Sequence, residues 1–139
     1  MKISAQVNNS KGQHQINLKT GDTSHSINIP SKASGFGSSA NGGELLFLSL
    51  ATCYCNDIYR EAAKKNIPVV SVEVTVDGEF FTEGQPAKNV VYQVKVISPA
   101  SESEIKKLII HTDTVAEIQN TLRVETPVVL NGIMIESAV

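Results

Sequence analysis

Apolar and polar positions along this chain follow two periods, and the changes from one to the other mark out its elements. Near the start, Ile3, Ala5 and Val7 alternate with polar residues, and Asn8-Asn9-Ser10-Lys11-Gly12 reads as a turn. A second strand is predicted over Gln15 to Lys19, a turn at Thr20-Gly21-Asp22 and a third strand over His25 to Ile29, together an antiparallel meander. Ser31 to Ser39, with two glycines, small residues and the aromatic Phe36, is expected to be a loop flexible enough to border a site. Alternation returns after Asn66-Ile67-Pro68: Val70, Val72, Val74 and Val76 oppose Ser71, Glu73, Thr75 and Asp77. Gly78 allows a bulge, Glu83-Gly84-Gln85-Pro86 a turn, and Val90, Tyr92, Val94 and Val96 complete a long hairpin. A final strand is predicted over Val128 to Ile135, with a turn or bulge at Asn131-Gly132.

Helical spacing fills the two gaps. From Asn41 to Lys65 the pattern predicts one long helix, capped by Asn41 with Glu44 reaching back three residues later. Its first half, Leu45 to Thr52, is apolar nearly all round and is expected to be buried, whereas Asp57, Arg60, Glu61 and Lys64 in the second half have the spacing of a solvated, ion-paired face. A second helix opens on Ser101 and Glu104, another capping box, and continues through Ile105, Leu108, Ile109, Val115 and Ile118 to about Leu122, with a break expected near Thr112-Asp113-Thr114. The order of strands and helices predicts an α+β fold of one domain, residues 1–139, with a sheet covering the helices on one side. One sheet cannot cover both sides of Leu45 to Thr52, so a second copy of the chain is expected to do so in a homodimer.

Composition narrows the function. With 41% hydrophobic and 19% charged residues, the 139-residue chain has the apolar content of a domain with its own core. A net charge of -2 and no basic run longer than Lys64-Lys65 or Lys106-Lys107 argue against nucleic acid as partner. No stretch reaches the roughly 18 apolar residues of a membrane span, and the N-terminus turns polar at once, so no membrane association and a cytoplasmic location are expected. Cys53 and Cys55 are one residue apart, which is no disulfide framework; on a helix they point about 200° apart and cannot pair without unwinding it. The thiols sit where the long helix changes character, where packing can shelter a thiol that a pocket still reaches. Buried packing is the plainer reading of both, and the one kept for Cys55. A zinc site from both cysteines with His14, His25 or His111 has poor ligand geometry, so no metal and no cofactor are expected. Gly35-x-Gly37 lacks the strand and third glycine of a nucleotide fingerprint.

The ungapped run Asn41-Gly42-Gly43-Glu44-Leu45-Leu46-Phe47-Leu48-Ser49-Leu50-Ala51-Thr52-Cys53 resembles the Asn-Pro-Glu-x-Leu-Leu/Phe-x-x-x-x-Ala-x-Cys segment of the OsmC/Ohr family of osmotically inducible and organic hydroperoxide resistance proteins. Lys64 to Val74 and Val115 to Leu122 are similar to the family's helix end with its following strand and to its second helix, so the resemblance spans almost the whole chain. It implies an intertwined homodimer in which long central helices are wrapped by antiparallel sheets from both chains. It also implies a thiolate that attacks a peroxide oxygen, becomes a sulfenic acid and condenses with a second cysteine. Cys53 matches the attacking cysteine. A free thiol pKa of about 8.5 leaves little thiolate at neutral pH, so a cation must help. The family uses an arginine of the N-terminal hairpin, held by the Asn-Pro-Glu glutamate; here no arginine precedes Arg60, and Lys11 and Lys19 are the nearest cations in the hairpin. Gly43 occupies the glutamate position, Glu44 lies one residue on, about 100° around the helix, and Ala116 occupies the position of the resolving cysteine. The resemblance therefore implies Cys53, Glu44 and Lys11 as the catalytic set of a weakened hydroperoxide reductase, dependent on an external thiol reductant. The alternative is a non-catalytic dimer binding a small hydrophobic ligand in its interface cleft, with Cys53 as lining.

Overall fold

The computed structural model describes residues 1–138, which divide into two compact units, Met1–Phe47 and the residues from Leu48 onward. In the first, β1 (Ile3–Ser10), β2 (Gln13–Thr20) and β3 (Thr23–Ser26) form an antiparallel sheet in that order. Gly12 and Gly21 make both turns possible, since each has a positive φ, 74° and 56°, that a side chain resists. β3 stops at Ser26, three residues short of the predicted end.

Ser31 to Ser39 is a loop, but a pinned one. The Ser31–Ser38 bridge closes it, and the Asn9 side chain holds Gly37 from both sides, donating to its carbonyl at 3.1 Å and accepting from its amide at 3.0 Å. The Gly12 amide adds a bond to the Gly35 carbonyl at 3.1 Å.

Helix α1 (Gly42–Lys64) starts with the predicted box: Glu44 Oε1 accepts from the Asn41 amide at 3.0 Å and Asn41 Oδ1 from the Glu44 amide at 2.8 Å. In the second unit, β4 (Ser71–Glu79) and β5 (Lys88–Ile97) form the long antiparallel hairpin, with a register shift between Asp77 and Glu79 that places the bulge at Gly78. Helices α2 (Glu102–Val115) and α3 (Glu117–Arg123) follow, and Ser101 with Glu104 forms the second capping box. The core is Tyr54, Ile58 and Ala62 of α1 with Leu108 and Ala116, against which Val72, Val74, Tyr92, Val94, Ile105 and Ile109 pack. Tyr54, Ile58 and Ala62 recur every four residues, so one stripe of α1 meets both the hairpin's apolar face and α2.

Four expectations need correction. There are two separate sheets, not one. The second half of α1 is not a solvated face: Tyr54, Asp57, Ile58, Glu61 and Ala62 are buried, whereas within the single chain Leu45 to Thr52 buries only Leu50 and leaves Leu48 57% exposed. The hairpin and α2 supply the cover for Tyr54, Ile58 and Ala62. The helix break comes later, at Ala116 (ψ 110°), because the hydroxyls of Thr112 and Thr114 bond back to the carbonyls of Leu108 and His111 and do not interrupt the helix. Finally, Val128 to Ile135 forms no strand: its side chains are exposed and no ladder partner lies beside it among the described residues. No described helix is long and apolar enough to cross a membrane.

Candidate active site

Cys53 lies near the middle of α1, half-buried, and the same helix face continues through Asp57, Arg60, Glu61 and Lys64 at steps of three and four residues. The thiol donates toward Asp57 Oδ2 at 3.5 Å. From α3, Glu117 brings Oε2 to 3.7 Å from the sulfur. Arg60 ties the two acids together, its guanidinium 2.9 Å from Asp57 Oδ1 and 2.8 Å from Glu117 Oε1. The same guanidinium reaches Glu61 at 2.9 Å, and Glu61 also accepts Lys64 and His111, each at 2.9 Å.

Two acids of this network are not solvated. Asp57 and Glu61 are 5% and 4% exposed, which corrects the reading of this face as a wet one. Each carboxylate can be buried because it is matched by cations at hydrogen-bonding distance. Lys64, Arg60 and His111 together hold the Glu61 carboxyl down to about 2. Asp57 moves the other way: burial and its hydrogen bond with Glu117 raise it, against the opposing pull of Cys53 and Arg60. Glu117 is lowered by its own backbone amide, by Asp57 and by Arg60. Of the two acids beside the sulfur, Asp57 is the one whose proton affinity is raised. Burial is also the chief cause that raises the Cys53 thiol, with Asp57 and Glu117 adding to it, while a hydrogen bond from the Ile118 backbone lowers it in part. The thiol is therefore mostly protonated at neutral pH.

The predicted set is not gathered at one point by described contacts. Glu44 has an oxygen committed to the helix cap, and Lys11 stands exposed in the β1–β2 turn; both belong to the first unit, whereas the contacts of Cys53 come from α1 and α3 in the second. Cys55 is half-buried and free, like Cys53. Ala116 is fully buried at the α2–α3 joint, directly before the glutamate that reaches the thiol. His14 is hydrogen-bonded to Asn9 at 2.9 Å, and His111 to Glu61 at 2.9 Å. Among the described residues, Cys53, Asp57 and Glu117 place ligand atoms within 4.8 Å of one another, with Arg60 on the other oxygen of each acid. Asp57 was findable from sequence by its i+4 step from Cys53; Glu117, 64 residues away, gave no local signal.

The model of the family described as "OsmC-like protein" matches residues 35–131, more than half of the chain. The chain belongs to the OsmC-like family. A search of curated protein sequences gave no match. Among solved structures, an OsmC-like protein from Mycoplasma pneumoniae is similar at 21% identity over 86% of this chain and 87% of that one, with a TM-score of 0.58. An organic hydroperoxide resistance protein OsmC from Legionella pneumophila, described also as a predicted redox protein, is 18% identical over 88% and 90%, with a TM-score of 0.60. An OsmC-like protein of unknown function from Vibrio cholerae is 16% identical over 91% and 95%, with a TM-score of 0.59. At these identities the likeness shows the fold, and the α+β fold with antiparallel sheets is thus that of the OsmC/Ohr proteins.

Proposed function

We propose that this OsmC-like protein reduces organic hydroperoxides slowly through Cys53, as a single-cysteine thiol protein that an external thiol returns to the reduced form. The observation that carries this is the half-buried Cys53 thiol, hydrogen-bonded to a buried acid that an arginine holds in place. Relatives of the same fold are described as organic hydroperoxide resistance proteins, from Legionella pneumophila and from Elizabethkingia anophelis, which supports the substrate class. Slowness follows from the raised thiol, and dependence on an outside reductant from Ala116. The test follows consumption of cumene hydroperoxide under excess dithiothreitol. Wild type and Cys55→Ser should show the same slow turnover and Cys53→Ser none. Turnover that survives Cys53→Ser would overturn the assignment.

The working form is a homodimer. Leu48 is 57% exposed on α1, with Leu45, Leu46 and Phe47 only half-buried, and Val128, Leu130 and Ile133 are 76% exposed or more. A two-fold partner that covers these residues would bury more than about 2,000 Å² in total, the obligate class. Sedimentation at micromolar concentration should give a dimer that Leu48→Glu dissociates; a wild-type monomer of 14.9 kDa would overturn it.

The second reading, a cleft that binds a small hydrophobic ligand with Cys53 as lining, is favoured by the two acids at the thiol, which oppose thiolate formation. It predicts no oxidation of Cys53 by hydroperoxide.

A further inference from the structure

We propose that Asp57 is a catalytic residue, the proton acceptor and donor for Cys53, with Glu117 beside it and Arg60 as the positioning residue that holds both. This rests on the hydroperoxide reading above.

The two oxygens of Asp57 are divided between two partners, Oδ1 to the guanidinium at 2.9 Å and Oδ2 toward the sulfur at 3.5 Å. Glu117 repeats the division, Oε1 to Arg60 at 2.8 Å and Oε2 toward the sulfur at 3.7 Å. One planar fork thus aims two acids at one thiol, and Glu61, itself held by Lys64 and His111, anchors that fork from behind. As fixed charges these acids would only hinder the thiol, since each disfavours a thiolate. As proton carriers they serve it. The S–H proton passes to Asp57 Oδ2, and the thiolate attacks one oxygen of the hydroperoxide, forming S–O as O–O breaks. The departing alkoxide then takes the proton back from Asp57. The products are the sulfenic acid and an alcohol, sulfur having lost the two electrons that the peroxide gained. A small external thiol condenses with the sulfenic acid to release water and a mixed disulfide, and a second thiol frees Cys53 as the disulfide of the reductant. Burial of Asp57 supports the role, because an acid whose proton is held more tightly than usual gives and takes it nearer to neutral pH.

Two electrophiles separate this role from a structural one. Iodide leaves from iodoacetamide without a proton, whereas an alkoxide needs one. In Asp57→Asn, with Cys55→Ser as common background, alkylation of Cys53 at pH 7 should rise by roughly threefold or more as a nearby negative charge disappears. Oxidation by cumene hydroperoxide should fall by about a hundredfold. Glu117→Gln, a substitution at an exposed residue, should show the same crossing with smaller amplitude and keeps the test in hand if Asp57→Asn fails to fold. Rates that move together, or an unchanged hydroperoxide rate, overturn the role of Asp57 alone. A wild-type Cys53 that is alkylated but never oxidised overturns the hydroperoxide reading and this one with it.

Discussion

Gln119 of α3 is 3% exposed, donates from Nε2 to the Leu50 carbonyl at 3.0 Å, and leaves Oε1 without a hydrogen-bond partner. Replacing it with Met, similar in length and flexible, removes both the bond and the stranded acceptor. The lost bond costs about 0.5–1.5 kcal/mol, and it strands nothing, because the Leu50 carbonyl lies inside α1 and retains its own helical bond. Removing an unsatisfied buried acceptor returns about 1–3 kcal/mol. The second effect wins, so Gln119→Met should be more stable by about 1 kcal/mol. For 139 residues the entropy of unfolding is roughly 0.3 kcal/mol/K, which makes this a rise in Tm of about 3 °C. Gln119→Ala is the contrast: it also opens a cavity and should lose about 2 kcal/mol. Thermal unfolding at one fixed protein concentration measures both, since the Tm of an oligomer moves with concentration. A Met variant less stable than wild type by 1 kcal/mol or more would show that Oε1 is bonded in solution and that the reasoning is wrong.

Two further predictions concern stability. Ser101→Ala breaks a complete capping box and should lower the denaturant midpoint by an amount worth about 1 kcal/mol, with no effect on alkylation of Cys53. The Glu61 carboxyl is held at about 2 against 4.5 unperturbed, so its contribution is fully present above about pH 4.5 and is lost as the pH falls toward 2; urea midpoints between those values should drop less steeply in Glu61→Gln than in wild type.

Much of the local structure was legible because it rests on local chemistry. The period-2 runs became β1, β2, β4 and β5, Asn41–Glu44 and Ser101–Glu104 became capping boxes, and Gly78 became the bulge. What failed depends on contacts between distant segments. The second half of α1 carries most of the helix's charge yet is buried along Tyr54, Ile58 and Ala62, because cover comes from whichever element packs there, and the hairpin packs on that stripe. Val128 to Ile135 has a strand's composition but no neighbour to pair with among the described residues. At the site, Cys53 was singled out by its offset from the helix cap. Asp57, Arg60 and Glu61 were seen as a charged stripe, but nothing in the spacing said that a glutamate 64 residues from Cys53 would join them beside the thiol.

The central claim is that Cys53 reacts alone, and the mass of the protein after hydroperoxide tests it most directly. After treatment with an equimolar amount of cumene hydroperoxide and no reductant, Cys53 should carry one added oxygen, with a second appearing only when further hydroperoxide is added, and Cys55 should remain a thiol. Loss of two hydrogens in place of oxygen gain would reveal a disulfide partner for Cys53, and an unchanged mass would show that the thiol does not reduce hydroperoxides at all.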